Sequence, residues 1–414
     1  MADRSGLSLA ARVRWRLTPW WGRVLLVFLV SRVVTGAILV GMSFVEARLG
    51  SGVVPDWFTF ATHWDGQWYW RIAMEGYPSE LPLDAEGHVA QNAWAFMPVY
   101  PFLASVFVNA GFPFPVIAPV ISLVAGAGAA LLFHQLLRQS GLAPGAALFG
   151  VVLLCTAPLS PMFQVSYAES LGLALLFLAL LLVQRRRFWV LLPVIVVMSL
   201  TRPSGLAFAL FLLLYFVLRI VRAIRKPAEH PLPGRETAGI IAAGLVSFGS
   251  GMSWPAIAWA VTGSPTAYTD TELAWRAGYV GQGPFEPFAD WFHGVAFWLG
   301  FFLHIPAEAA SSVAVIGTIA AVALFAVFLF TPWAKRLGVE VRLWLVSYLV
   351  YLLAVFFPQS STWRLLLPMA PALGAFAIPR SPVFRVSLVV LGIVGQLLWV
   401  YGCWIRMPGD WSPP

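Results

Sequence analysis

The chain has 414 residues, 60% of them apolar and only 11% charged, where soluble proteins carry about 45–50% and about 25%. So few charges cannot coat a soluble surface, which excludes an ordinary cytosolic enzyme, a disordered chain and a nucleic-acid binder. The net charge of +8 comes from 26 basic and 18 acidic residues, and the two cysteines, Cys155 and Cys403, lie in apolar runs that suit neither a disulfide scaffold nor a zinc site.

A membrane-crossing helix needs about 20 mostly apolar residues. The first such run is Val24 to Phe44, behind Arg4, Arg12, Arg14, Arg16 and Arg23; it is too long for a cleaved signal and lacks a cleavage site. A first outer loop, 45–96, follows with no spanning run, and then an apolar half-helix at 97–110. Further crossings are expected at 115–137, 143–157, 168–184, 188–201 and 204–218. A cytoplasmic linker, 219–237, contains Pro227, Pro231 and Pro233 and precedes a crossing at 238–262. The second large outer loop, 263–310, ends in another half-helix at 293–304. The last crossings are expected at 311–332, 341–357, 364–378 and 383–404. The expectation is one integral membrane domain, 1–414. It is an all-α polytopic membrane protein with about 11 transmembrane helices, or up to about 13 if the half-helices also cross.

Charge gives this layout a direction. With the N-terminus in the cytoplasm, 19 of the 26 basic residues fall inside and 14 of the 18 acidic residues outside, as the positive-inside rule requires. The net charge is then a topological signal rather than an affinity for polyanions. Only Lys226 and Lys335 are lysines, a skew that points to a GC-rich bacterial genome.

The first outer loop is rich in tryptophan and tyrosine, residues that favour the membrane–water boundary. An interfacial helix is expected over Trp64 to Met74, capped by Thr62 or Asp65 and terminated by Gly76. Asp65 has two readings. It is either the helix cap, or a general base whose proton affinity is raised by partial burial. Other outer-face charges stand out because charges are scarce. Glu169 opens a span, where an acid is costly unless paired or functional. Arg202 and Arg364 break the inward trend of the arginines. Both suit an anion such as a phosphate, or else they pair with a nearby acid, Glu169 being the obvious one. Arg276 in the second outer loop is a weaker candidate of the same kind. No Walker loop, dinucleotide fingerprint, HExxH or nucleophile elbow is present. The metal-like spacings, Asp270 with Glu272 and His63 with Asp65, are weak, and no metal or cofactor is expected.

The stretch Trp64-Asp65-Gly66-Gln67-Trp68-Tyr69-Trp70-Arg71-Ile72-Ala73-Met74-Glu75-Gly76-Tyr77 resembles a motif of the PIG-V family. That family comprises glycosylphosphatidylinositol mannosyltransferase II and its bacterial relatives among the GT-C membrane glycosyltransferases. Phe96 to Pro101, Ser166 to Ser170 and Thr201 to Gly205 are similar to further family motifs, in the same order. Ala274-Trp275-Arg276 and Ser361 to Arg364 are looser likenesses. The resemblance implies a GT-C bundle and an inverting transfer, most simply of mannose, from a polyprenyl-phosphate-sugar donor on the non-cytoplasmic face. The acceptor would be a lipid-linked or cell-envelope glycan. Asp65 matches the family's catalytic acid and takes the base role. Arg202 and Arg364 are assigned here to the donor phosphate, and His63, Trp64, Trp68, Tyr69, Glu75, Tyr77, Glu169 and Arg276 to the surrounding site. Pro203-Ser204 departs from the family's Ser-Asn. The competing readings are a lipid or sugar transporter, for which Arg32 within the first span is the main ionisable candidate, and an inactive assembly partner.

Overall fold

The computed structural model describes residues 17–50 and 52–406. Arg4, Arg12, Arg14 and Arg16, and with them the expected cytoplasmic N-terminus, lie outside the described residues. Among the described residues there is no β-strand, only an isolated bridge between Leu83 and Val89.

Helix α1 (Trp20–Leu49) leads into the first loop, which carries α2 (Trp57–Ala61) and α3 (Asp65–Glu75) and ends at α4 (Val99–Asn109). There follow α5 (Phe114–Gln139), α6 (Pro144–Thr156), α7 (Glu169–Gln184), α8 (Phe188–Ser199), α9 (Gly205–Arg225) and α10 (Gly234–Thr262). The second loop forms α11 (Ala267–Val280) and α12 (Ala289–Leu303). The remainder is α13 (Ala307–Phe330), α14 (Pro332–Lys335), α15 (Gly338–Val355), α16 (Thr362–Leu365), α17 (Leu373–Phe376) and α18 (Pro382–Trp399).

Seven helices among the described residues are long and apolar enough to cross a membrane: α1, α5, α9, α10, α13, α15 and α18 with its continuation to Trp404. The protein is therefore an all-α polytopic membrane protein. The sequence expectation of eleven differs by four segments, 143–157, 168–184, 188–201 and 364–378, which form α6, α7, α8 and the broken run through α16 and α17. At 1.5 Å per residue, the 13 residues of α6 cover only about 20 Å of a hydrocarbon layer about 30 Å thick. The linker expected over 219–237 is also shorter, because α9 runs to Arg225 and α10 begins at Gly234. Arg219 inside it is buried and paired with Glu236 at 2.9 Å.

The bundle has two distinct ends. The ends of α5 and α7 meet where Gln184 Nε2 donates to Ser140 Oγ at 2.9 Å. At the other end, Ser166 N donates to Ala61 O at 2.9 Å and Trp404 Nε1 to Phe60 O at 3.1 Å. This second end gathers the first loop, the start of α7, the turn between α8 and α9, and the residues after α18.

Arg32 braces that end from within α1. Its Nη1 donates to Ser160 O at 2.7 Å and Gln164 Oε1 at 3.1 Å, and its Nη2 to Cys155 O at 2.9 Å. The guanidinium lies 5.2 Å from the Phe28 ring centroid and 5.3 Å from that of Phe163. A buried cation is costly unless its donors are met, and here carbonyls meet them. The same bonds fix the path of residues 155–164, which deliver Tyr167 and Glu169.

Candidate functional site

The motif helix begins unusually. Trp64 is its N-cap at φ 54° and ψ −119°, a left-handed-side conformation that a bulky residue adopts only when its surroundings hold it. Trp64 Nε1 donates to Trp404 O at 2.7 Å, so the segment after α18 supplies that hold. Asp65 is the first helical residue and caps nothing. Its backbone N–H donates to Tyr167 Oη at 3.1 Å, and its carboxylate turns to Arg364. Thr62 does not cap either; its hydroxyl meets Phe58 O at 2.8 Å and Ser166 Oγ at 2.9 Å. Gly76 ends the helix as expected, at φ 78° with its N–H on Ile72 O.

Two glycines set the spacing. A Cβ at Gly66 would lie 3.3 Å from both Ser166 Cβ and Thr62 Cγ2, so the small residue lets the motif helix press against the Ser166–Glu169 segment. A Cβ at Gly172 would lie 2.9 Å from Arg202 Cγ, and its absence makes room for that side chain beside Glu169.

Four charged groups meet there. Arg364 Nη2 lies 2.5 Å from Asp65 Oδ2, and Arg364 Nη1 lies 3.1 Å from Glu169 Oε1. Arg202 Nη1 reaches the same Glu169 oxygen at 3.4 Å. Asp65 and Glu169 are 6% and 4% exposed, so this cluster of two acids and two cations is largely withdrawn from water. Tyr167 places its ring 5.3 Å from the Arg364 guanidinium, and Tyr69 packs edge-on to Tyr167 and Tyr100. Among the described residues, Glu169 Oε2 and Arg364 Nε are buried without a hydrogen-bond partner, so both ions keep unused bonding capacity there. Burial pushes the Asp65 carboxyl above its usual range, and the Arg364 guanidinium opposes that push.

Glu169, Arg202 and Arg364 line a narrow cleft with Ser204, Tyr348 and Phe356. Asp65 is not among its walls; its carboxylate meets the cleft through Arg364.

The other expected site residues divide. Tyr69 stands against the cluster. Burial drives its hydroxyl upward, and Arg202 opposes this. His63 faces the other way, stacked on Trp404 and 3.7 Å from Glu46. Burial and the neighbouring Arg406 push its imidazole down to about 3, so it is neutral and its contact with Glu46 is not an ion pair. Trp68 stacks on Phe96 and meets Trp275 edge-on. Tyr77 donates to Phe96 O at 2.9 Å and packs with Trp94 and Trp254. These are packing roles. Glu75 is exposed at the far end of α3, about 15 Å along the helix from Asp65, and is not brought into the cluster. Arg276 is committed elsewhere, to Asp290 and to the carbonyls of Gly283 and Pro284 at 2.9 and 2.8 Å.

Glu272 on α11 was not singled out by its sequence except in the weak Asp270–Glu272 pair. Two residues apart on a helix, these side chains diverge. Asp270 accepts from Thr266 Oγ1 at 2.6 Å, whereas Glu272 is in electrostatic range of Arg202, Arg364 and Asp65. Burial raises its carboxyl to about 7, against the lowering effect of the Tyr268 hydroxyl and the two arginines. Only that weak spacing marks it, because its charged partners come from distant segments. No family model matches the chain, and no curated protein matches it.

Proposed function

We propose that the protein is an inverting glycosyltransferase, most simply a mannosyltransferase using a polyprenyl-phosphate-sugar donor, and that the cluster end of the bundle faces away from the cytoplasm. The observation that carries this reading is the meeting of Asp65, Glu169, Arg202 and Arg364 in one buried cluster. They come from four separate segments, each bearing a likeness to a PIG-V motif. The acceptor is a lipid-linked or cell-envelope glycan.

The chemistry follows from the charges. An acceptor hydroxyl attacks the anomeric carbon as the bond from that carbon to the donor phosphate oxygen breaks, with inversion. The hydroxyl proton passes to Asp65. The lipid phosphate leaves with the bonding electron pair, and Arg202 and Arg364 stabilise its charge. Arg364 couples the two events. When its guanidinium is drawn onto the donor phosphate, Asp65 loses the cation that opposes its burial and becomes a stronger base as the donor arrives. Arg32, the main ionisable candidate for a transport path, is committed to carbonyls, which supports an enzyme over a transporter.

The test is to incubate purified protein with polyprenyl-phosphate-mannose and a panel of glycan acceptors and identify any glycosylated product. Uptake of labelled lipid or sugar into proteoliposomes without a new glycosidic bond would instead establish the transport reading.

A further inference from the structure

The end of the bundle remote from Asp65 contains a cavity of about 790 Å³ whose walls are rich in cations. Lys335 at the end of α14 and Arg336 in the turn before α15 reach it from one side, and Arg380 and Arg385 from the residues around the start of α18. A third wall is residues 140–146, including Gly145 and Ala146 in the first turn of α6. First-turn amides lack helical acceptors and carry the positive end of the helix dipole. A Cβ on Gly145 would meet nothing within 4 Å, so that turn is open.

Among the described residues no carboxylate lines the cavity. Glu340 stands beside one wall, its Oε2 3.3 Å from where a Cβ on Gly338 would lie. Among the described residues none of the four cations forms an ion pair. Arg385 is nevertheless held in place, donating to Pro379 O at 2.9 Å and Ala377 O at 3.2 Å, with its guanidinium 4.6 Å from the Phe149 ring centroid. Lys335, Arg336 and Arg380 are exposed. Basic residues that merely orient a chain have no reason to converge on one cavity; these do, from separate segments.

The surroundings select the kind of anion. Exposed Phe330, Trp333, Phe376, Val383 and Val386 adjoin the cations in sequence, and Phe328 stacking on Phe376 ties the end of α13 to α17. A soluble anion gains nothing from such a surface. A molecule with a phosphate at one end and hydrocarbon at the other matches both parts.

We propose that this cavity binds the phosphate headgroup of an anionic membrane lipid, whose acyl chains lie along the apolar faces of α13 and α18. Bound there, the lipid bridges the start of α6, the turn before α15 and the start of α18.

The test is native mass spectrometry of the full-length protein in detergent, incubated with phosphatidylglycerol or phosphatidylcholine. Retention of phosphatidylglycerol is expected to exceed that of phosphatidylcholine about tenfold, since each basic residue near a headgroup adds severalfold. The triple variant Lys335→Gln/Arg336→Gln/Arg380→Gln loses the excess, while Arg222→Gln/Arg225→Gln on α9 keeps it. Should the triple variant not be recovered folded, Arg380→Gln alone, at an exposed position, is expected to reduce the excess severalfold. Unchanged retention in the cavity variants, or equal loss in the α9 control, overturns the site. Full displacement of the lipid by millimolar inorganic phosphate overturns the lipid and leaves a free-phosphate site.

Discussion

Arg364 reaches back across most of the chain to place its Nη2 2.5 Å from the carboxylate of Asp65. The pair joins the first loop to α16, and neither residue has a comparable partner nearby in sequence. Asp65→Asn preserves the shape and one acceptor but removes the base. Sugar transfer should fall by about 100-fold or more, while Glu169 continues to hold Arg364 and the fold survives. Product formation together with a thermal melt in detergent checks both halves; turnover at the wild-type rate would remove Asp65 from the chemistry.

Glu169 Oε1 is shared by Arg202 and Arg364, at 3.4 and 3.1 Å. Removing a buried ion's partner costs about 3–5 kcal/mol. Glu169→Gln leaves the two guanidiniums facing one another without their common anion, and should be strongly destabilising. The double variant Glu169→Gln/Arg202→Gln should lose less than the sum of the single variants, by about 1–3 kcal/mol. Denaturation in detergent measures the cycle, and strict additivity would show that the two residues do not interact.

Glu272 gives the site a pH dependence. Its carboxyl is raised from 4.5 to about 7 by burial, so the folded protein holds a proton that the unfolded chain has released. Its contribution to stability is therefore full below 4.5 and lost as pH rises through about 7. Above that pH an extra negative charge stands near Arg202 and Arg364, and KM for an anionic donor should rise. Glu272→Gln should flatten both profiles. A KM that still climbs near neutral pH in this variant would assign the titration to another group. Asp65 controls the acid side: its raised carboxyl places the loss of activity, as pH falls, above the usual carboxylate range.

Trp404 ties the residues after α18 to the motif, through its N–H on Phe60 O at 3.1 Å and its carbonyl under Trp64 Nε1 at 2.7 Å. Trp404→Phe removes only the first bond and should cost about 1 kcal/mol. Trp404→Ala also removes the stack on His63 and, although it keeps the backbone carbonyl that Trp64 Nε1 donates to, it loosens the packing that positions that carbonyl. Its kcat should drop several-fold more than its donor KM changes. An equal loss in kcat and KM would mean that the strap acts only on folding.

Much of the cluster was legible in the sequence because charge is so scarce. Asp65, Glu169, Arg202 and Arg364 stood out as outer-face ions in a chain that has few, and the structure brings these four together. The pairing of both arginines with Glu169 was one of the two readings open to them. Proximity to a motif was a poorer guide. Glu75 and His63 sit within or beside the same helix as Asp65 yet stay out of the cluster, because Glu75 lies at the opposite end of the helix and His63 precedes its N-cap and packs on Trp404. Glu272 was marked only by the weak Asp270 spacing and the Trp404 strap not at all, since the arginines near Glu272 and the contacts of Trp404 come through tertiary packing. Of the eleven crossings expected, seven are matched by helices long enough to span on their own, and α6, α7 and α8 are apolar but shorter.

The distribution of the four charges along the chain bears on biosynthesis. Asp65 leaves the ribosome nearly three hundred residues before Arg364, and Glu169 before either arginine that will neutralise it. Until then the first loop must keep its acid in water, which a short surface helix permits and a spanning segment would not. A nascent chain halted before α16 therefore already holds Arg202 for Glu169 but leaves Asp65 without its cation. That unpaired charge is a mark by which membrane quality control would distinguish an unfinished molecule from a completed one.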